Sequence, residues 1–263
     1  MKIHEMEDFL KSHDLILHDD EGRRFGPPNA DITGVFLCFK PTLEAIDAAH
    51  AAGCNLIVTH EELNFPPLYS GARIEDQLCG TVTLRRMRRL LRYGITVLRV
   101  HASLDRLCVV DEFGDALELD EPTIHGDYWE RTYEIPATTV RDLALQIKER
   151  LDLDTVRVCG DLGRVVRRVA LPWGGVAISA NPNCIQRLLL LEPDALIAGE
   201  TEEIPMYAVL DAGVPLIETG HAESESPGIQ RLARMVEEAF PEIEVAFFQI
   251  LRPWALFAPE CGT

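Results

Sequence analysis

Apolar residues in this chain follow two rhythms. Short unbroken runs predict strands buried on both faces, and stripes at a 3.6-residue period predict helices packed by one side. A short helix is expected at 5–12, then a strand at 31–39 (DITGVFLCF). Pro41 and Thr42 open a helix that runs to about Ala52 and stops at Gly53, glycine just past a helix suiting a left-handed C-terminal cap. A strand at 56–58 (LIV) leads into 64–71 (NFPPLYSG), whose two prolines make it a loop. Residues 81–92 form an amphipathic helix with Leu84, Met87, Leu90 and Leu91 inward, and Arg85, Arg86, Arg88, Arg89 and Arg92 outward. Further on, Thr139 caps a helix with Val140, Leu143, Ala144, Ile147 and Leu151 on its buried side. Strands follow at 156–160, 167–179 and 194–200. Ser226-Pro227 starts a last helix, proline suiting the first helical position, and 244–250 is the last strand. Alternating helices and strands define an α/β protein with a largely parallel or mixed sheet.

Within this alternation one unit occurs three times: helix, glycine, short apolar strand, then histidine beside acids. The copies are Gly53-CNLIVT-His60-Glu61-Glu62, Gly94-ITVLRV-His101-ASL-Asp105 and Gly213-VPLIETG-His221-AES-Glu225. Each histidine thus falls near the carboxyl end of a strand, where open α/β sheets bind their ligands. The first and third copies also echo one another, Ala52-Gly53-CN-Leu56-Ile57-V-Thr59-His60 against Ala212-Gly213-VP-Leu216-Ile217-E-Thr219-G-His221, which fits two lobes of similar topology facing one another. The text changes character after Asp120, and the lobes are placed at 1–125 and 126–263.

Composition narrows the classes. At 47% hydrophobic residues the chain has enough apolar material for a core. It has no apolar run near the roughly 20 residues of a membrane span. The N-terminus alternates charge and apolarity unlike a secretory signal, so a cytoplasmic protein is expected. Seven cysteines are scattered with no Cys-x-x-Cys pair, which reads as reduced thiols and argues against a thiolate zinc knuckle. A net charge of −18 weighs against nucleic acid as a partner.

Two imidazoles and three carboxylates, His60, Glu61, Asp105, His221 and Glu225, make a donor set for Zn, Fe, Mn or Co. Neighbours in a strand point opposite ways, so His60 and Glu61 at a strand's end are able to serve different ions of a pair. With a helix start at Pro227, the convergence of His221 and Glu225 is a loop property. His101 either joins the ligands or orients Asp105 or a bound water. Glu62 and Glu223 read as surface acids, Glu62 also as a potential base. His4, His13, His18, His50 and His125 have no such context and read as surface or hydrogen-bonded core residues. There is no Gly-x-Ser-x-Gly elbow, Walker loop or Gly-x-Gly-x-x-Gly.

These motifs resemble the NGG-interacting-factor-three-like family, also called dinuclear metal centre proteins or type 2 GTP cyclohydrolase I. Its strand ending Thr-His-His-Pro resembles Thr59-His60-Glu61-Glu62, its His-Thr-Asn-Leu-Asp resembles 101–105, and its Gly-His-(Tyr)-x-(Ser/Thr)-Glu resembles 220–225. Ala198-Gly199-Glu200 resembles the family's Thr-Gly-Glu, and 167–177 its Val-Ala-x-x-Gly-Gly strand. The resemblance implies two interlinked α/β lobes with mixed sheets, a dinuclear metal cleft between them, C-terminal elements packing back on the first lobe, and a homohexameric ring. It carries His60, Asp105, His221 and Glu225 over as metal ligands. The chain departs from the pattern at Glu61, where the family has its second histidine, at Glu62, where it has proline, and in lacking an N-terminal Asn-x-Gly-Leu. Glu61 either ligates through oxygen, favouring harder ions such as Mn, Fe or Mg, or turns away and leaves a mononuclear or empty site.

Two functions of different class follow. One is a metal-dependent hydrolase, similar to type 2 GTP cyclohydrolase, that uses two divalent ions on a small nucleotide-like or heterocyclic substrate, with Glu62, His101 or Glu200 handling the proton. The other is a non-catalytic ring-forming scaffold or metal-handling protein. An open coordination position beside a substrate-sized pocket separates them.

Overall fold

The computed structural model describes residues 1–67, 71–125 and 129–257, so 68–70 of the proline loop and Cys261 lie outside the described residues. In chain order the elements are α1 (Ile3–Ser12), β1 (Gly22–Phe25), β2 (Gly34–Cys38), α2 (Leu43–Ala51), β3 (Leu56–Thr59), α3 (Ile74–Cys79), α4 (Thr81–Tyr93) and β4 (Thr96–Arg99). A short α5 (Ala102–Leu104) passes through a π-helical turn (Asp105–Val109) into α6 (Val110–Ala116). Then come β5 (Thr123–His125), β6 (Glu130–Thr139), α7 (Val140–Arg150), β7 (Arg157–Cys159), β8 (Val165–Ala170), α8 (Pro182–Leu189) and β9 (Ala195–Ala198). The chain finishes with α9 (Glu203–Asp211), β10 (Leu216–Glu218), α10 (His221–Ala239) and β11 (Glu244–Phe248).

Two mixed sheets result, ordered β1-β4-β3-β2-β11 and β5-β6-β8-β9-β10-β7. In the first, β4, β3, β2 and β11 are parallel and β1 runs antiparallel along the edge. In the second, β8, β9 and β10 form the parallel heart and β6 and β7 flank it antiparallel. Strands β2, β3, β4, β9 and β10 are buried along their whole length, which is why they read as unbroken apolar runs. One core cluster joins both sheets, from Val35, Val58 and Leu98 of the first to Val169, Ala195 and Ile217 of the second, with Ile229, Leu232 and Val236 of α10 in contact. The last strand, β11, crosses back to pair with β2.

All three predicted glycine caps hold: Gly53, Gly94 and Gly213 take φ values of +72°, +67° and +69°. Thr42 and Thr139 cap α2 and α7 through their hydroxyls. Four expectations are corrected. The final helix begins at His221, ahead of Ser226, and Pro227 lies inside it. The strand expected over 167–179 ends at Ala170, because Leu171 to Gly175 turn to the site. On α4 the packed face is rotated: Arg86 is buried and donates to the Leu63 carbonyl at 2.7 Å, whereas Leu91 is 70% exposed. Glu62 is fully buried against Arg99 and is no surface acid.

Candidate metal centre

The parallel strands β3 and β4 deliver His60 and His101 to neighbouring positions at the carboxyl edge of the first sheet, with ring centroids 5.1 Å apart. After His101 the chain turns at once into α5, and the π-helical turn presents Asp105. From the other side β10 ends beside Gly220, and α10 starts with His221. His221 and Glu225 are i and i+4 on this helix, so helical geometry brings them together.

His60 is fully buried, and its Nδ1–H donates to the Val100 carbonyl at 3.0 Å. That fixes the tautomer and turns Nε2 toward Asp105 Oδ1 at 3.4 Å and Glu225 Oε2 at 3.3 Å. Both Nε2 of His60 and Oε2 of Glu225 are buried without a hydrogen-bond partner of good geometry. The other Glu225 oxygen faces His221 Nε2 at 3.1 Å, while His221 Nδ1 lies 2.8 Å from Glu200 Oε2. Glu225 therefore stands between the two imidazoles, one oxygen to each. Asp105 Oδ1 also accepts from the Trp173 indole at 3.2 Å.

Glu61 turns inward. Its Oε1 lies 3.8 Å from His101 Nε2 and 4.0 Å from His221 Nε2, and its Oε2 lies 3.7 Å from Lys40 Nζ. His101 Nδ1 faces Asp20 at 3.3 Å. Donor atoms able to hold a metal ion fall into two groups, His60, His101 and Asp105 in one and Glu61, His221 and Glu225 in the other, each with its atoms within 4.8 Å of one another. His60 and Glu61, adjacent in sequence, enter different groups.

The charges converge on a place for cations. Burial opposes charge on His60, but the Glu225 and Asp105 carboxylates outweigh it and hold the imidazole well above its ordinary value. The same balance of burial against Glu225 and Glu200 lifts His221 to about 10. Glu225, although buried, is held far below the carboxylate range by His221 and His60. His101 moves the other way, lowered by burial and by the neighbouring His60 and Arg99 charges. In Glu61, burial and Glu225 push the carboxyl up, and Lys40, His221 and His60 more than compensate, so it lies low. Carboxylates packed on imidazole nitrogens, with two buried polar atoms unpartnered, are what a divalent-cation site requires. The donor set fits divalent metal ions.

Several supporting residues carry no sequence motif. Arg99, fully buried, donates from Nε to the His60 carbonyl at 2.9 Å and from Nη1 to Glu62 at 3.1 Å and to Asp20. Glu21, also buried, accepts from the backbone amides of His101 and Ser103 at 2.9 Å each and from the Ser103 hydroxyl, pinning the turn that presents His101. An arginine inside the apolar run ITVLRV was the one available signal, since a buried guanidinium needs buried partners. Gly174, at φ +50°, packs so closely that an added Cβ would lie 1.9 Å from Glu225 Oε1. Beside the second ligand group opens a cleft of about 750 Å³ lined by Glu61, His221, Glu200, Lys40, Arg252 and Trp254, among others.

Two mixed sheets, with ligand groups gathered where strands of both end, define an α/β protein with a candidate metal centre. The chain belongs to the Duf34/NIF3 (NGG1p interacting factor 3) family, whose model matches residues 2–253. A GTP cyclohydrolase 1 type 2 homolog of Clostridium perfringens is 24% identical over 233 residues, covering 84% of each chain. Among solved structures, Staphylococcus aureus protein SA1388 superposes with a TM-score of 0.80 at 19% identity, covering 98% of this chain and 99% of that one. A Bacillus cereus protein related to NIF3 gives 0.79 at 17% identity over the same shares. Among the described residues no helix is long and apolar enough to cross a membrane.

Proposed function

We propose that the chain is a metal-dependent hydrolase holding two divalent cations and acting on a small nucleotide-like or heterocyclic substrate. The carrying observation is Glu225, whose two oxygens face His60 and His221 and so join the two ligand groups. Divalent cations bound there, from among Zn, Fe, Mn and Mg, would supply Lewis-acid polarisation and bring the pKa of a water toward about 7. His60, His101 and Asp105 would hold one ion, Glu61 and His221 the other, with Glu225 between.

The remaining residues orient, bind or move a proton. Val100, Trp173 and Glu200 fix His60, Asp105 and His221 through one hydrogen bond each. Glu200, half-exposed at the cleft beside His221, is the base we assign for proton transfer. Glu62 is committed to Arg99 inside the protein, which favours a structural role for it. In the cleft, Phe39 and Trp254 supply flat faces for a ring, while Lys40, Arg157 and Arg252 line it paired with Glu61, Glu218 and Glu223. The names of the curated relatives point to the same substrate class. The homohexameric ring implied by the family resemblance belongs to this reading, and light scattering on eluting protein tests it against a monomer.

Metal analysis of protein purified without chelator, followed by a nucleotide-hydrolysis screen, tests the whole. Near two ions per chain, with no more than one in Glu225→Gln, and turnover of a nucleotide are expected. A parent without metal overturns the assignment, as does a fully loaded parent that turns over no nucleotide or related heterocycle.

A further inference from the structure

The two ligand groups differ in three independent ways. The first is donor chemistry: His60, His101 and Asp105 offer two imidazoles and one carboxylate, whereas Glu61, His221 and Glu225 offer two carboxylates and one imidazole. Imidazole suits Zn and Fe, while carboxylate and water suit Mn and Mg. The second is support. Each side chain of the nitrogen-rich group is held by a neighbour: His60 by the Val100 carbonyl, Asp105 by the Trp173 indole, and His101 by Asp20 and through its amide by Glu21. In the oxygen-rich group His221 leans on the half-exposed Glu200, and outside the two groups Glu61 faces the ammonium of Lys40, 3.7 Å away, which competes with any ion for that carboxylate. The third is access. Glu61 and His221 line the 750 Å³ cleft, and His60, His101 and Asp105 do not.

Resting on the two-ion reading above, we infer that the two metal positions are unequal: a tight, nitrogen-rich position that keeps a borderline ion such as Zn or Fe, and a weaker, oxygen-rich position at the cleft that exchanges harder ions such as Mn or Mg. Of these six residues Glu61 and His221 line the cleft, so the oxygen-rich position is the one substrate would reach first. Lys40 sets the weakness of that position, both by holding Glu61 and by placing a positive charge beside the incoming cation. Loss of a supporting partner typically lowers metal affinity about 10–100-fold, and a gap of about that size between the positions is expected.

The test uses the full-length chain, stripped by chelator and dialysed, then titrated with Zn²⁺ and Mn²⁺ separately and in sequence. Uptake is read by calorimetry and elemental analysis, and bound Mn²⁺ by electron paramagnetic resonance. Two Zn²⁺ steps separated by 10-fold or more are expected. After one equivalent of Zn²⁺, Mn²⁺ should add to a ratio of one and be removed by gel filtration while the Zn²⁺ stays. Glu61→His should tighten the second Zn²⁺ by about 10-fold and weaken Mn²⁺, and Lys40→Met should tighten both ions at that position without changing the first. Two equal steps, joint loss on gel filtration, or a Glu61→His variant with unchanged selectivity overturns the inequality while leaving the two-ion site standing. No uptake of either ion by the parent overturns both. The parent's two-step titration needs no variant, so a substitution that fails to fold leaves the decision intact.

Discussion

Gly174 shows how tightly the centre is drawn at the level of single residues. At φ +50° an L side chain is strained by about 1–2 kcal/mol, and the Cβ would fall on the Glu225 oxygen that faces His221. Gly174→Ala should therefore lower stability by at least about 1 kcal/mol and displace Glu225. Denaturant midpoints together with metal content check this, and a variant matching the parent in both refutes it. A second expectation concerns protons. His60 and His221 are both raised by the carboxylates around them, His221 to about 10, so the metal-free centre carries imidazolium at neutral pH. A cation replaces those protons, since ligating imidazole must be neutral. Binding at pH 7 should release on the order of one proton from each of His60 and His221, and affinity should fall as pH falls. Calorimetry in buffers of different ionisation enthalpy measures the release, and a heat independent of buffer counts against it. At this scale the convergence of His60, His101 and His221 was legible because each follows a strand, so chain position pointed to where the structure brings them together. Glu21, Arg99 and Trp173 were not, because what they do depends on partners dozens of residues away.

Among the elements, glycine caps and buried strands were readable because each rests on a local rule, left-handed backbone after a helix or a run shielded on both faces. The start of α10 was misplaced for an equally physical reason. Proline favours the first helical turn, yet here six helical residues precede Pro227, and hydroxyls of Ser224 and Ser226 bond back to the carbonyls of His221 and Ala222. The error mattered, because only a helix begun at His221 places Glu225 on the same face. Hydrogen exchange separates the two starts. The amides of Glu225 and Ser226 are helix-bonded when the helix begins at His221 and free when it begins at Ser226, so slow exchange at both is expected; exchange as fast as in a loop would restore the later start. Helix α4 teaches a related lesson. Arginine was assigned outward by its charge, but Arg86 caps the Leu63 carbonyl from a buried position and Leu91 faces out instead. Periodicity finds the stripe, and the tertiary partner decides its rotation.

For the whole molecule, the important fact is that the candidate ligands do not share a sheet. His60, Glu61 and His101 leave the edge of the first, while His221 and Glu225 stand on α10 directly after β10 of the second. Two-lobed organisation was legible from the echo around Gly53 and Gly213. The return of β11 to β2 carries no local signal, so its pairing partner was not legible in the sequence. An ion held across these elements would link the two sheets, and it would bind the folded chain alone, because the unfolded chain scatters the candidate ligands from His60 to Glu225. Such binding stabilises by mass action, by about 2.7 kcal/mol per ion at a free concentration roughly 100 times Kd. For a chain of this size about 1 kcal/mol moves Tm by roughly 2–4 °C, so one ion should be worth about 5–10 °C. Chelation should lower the parent's Tm by at least that amount, and re-addition of metal should restore it. Glu225→Gln, which loses the carboxylate that faces both His60 and His221, should respond to chelator much less. Opposing this, the chain carries 43 acids against 25 bases, and general charge screening by a divalent salt also stabilises so acidic a surface. The two effects part in Glu225→Gln: screening raises its Tm as much as the parent's, whereas a site-bound ion does not. Equal shifts in parent and variant would assign the stabilisation to the surface and remove the link between the sheets.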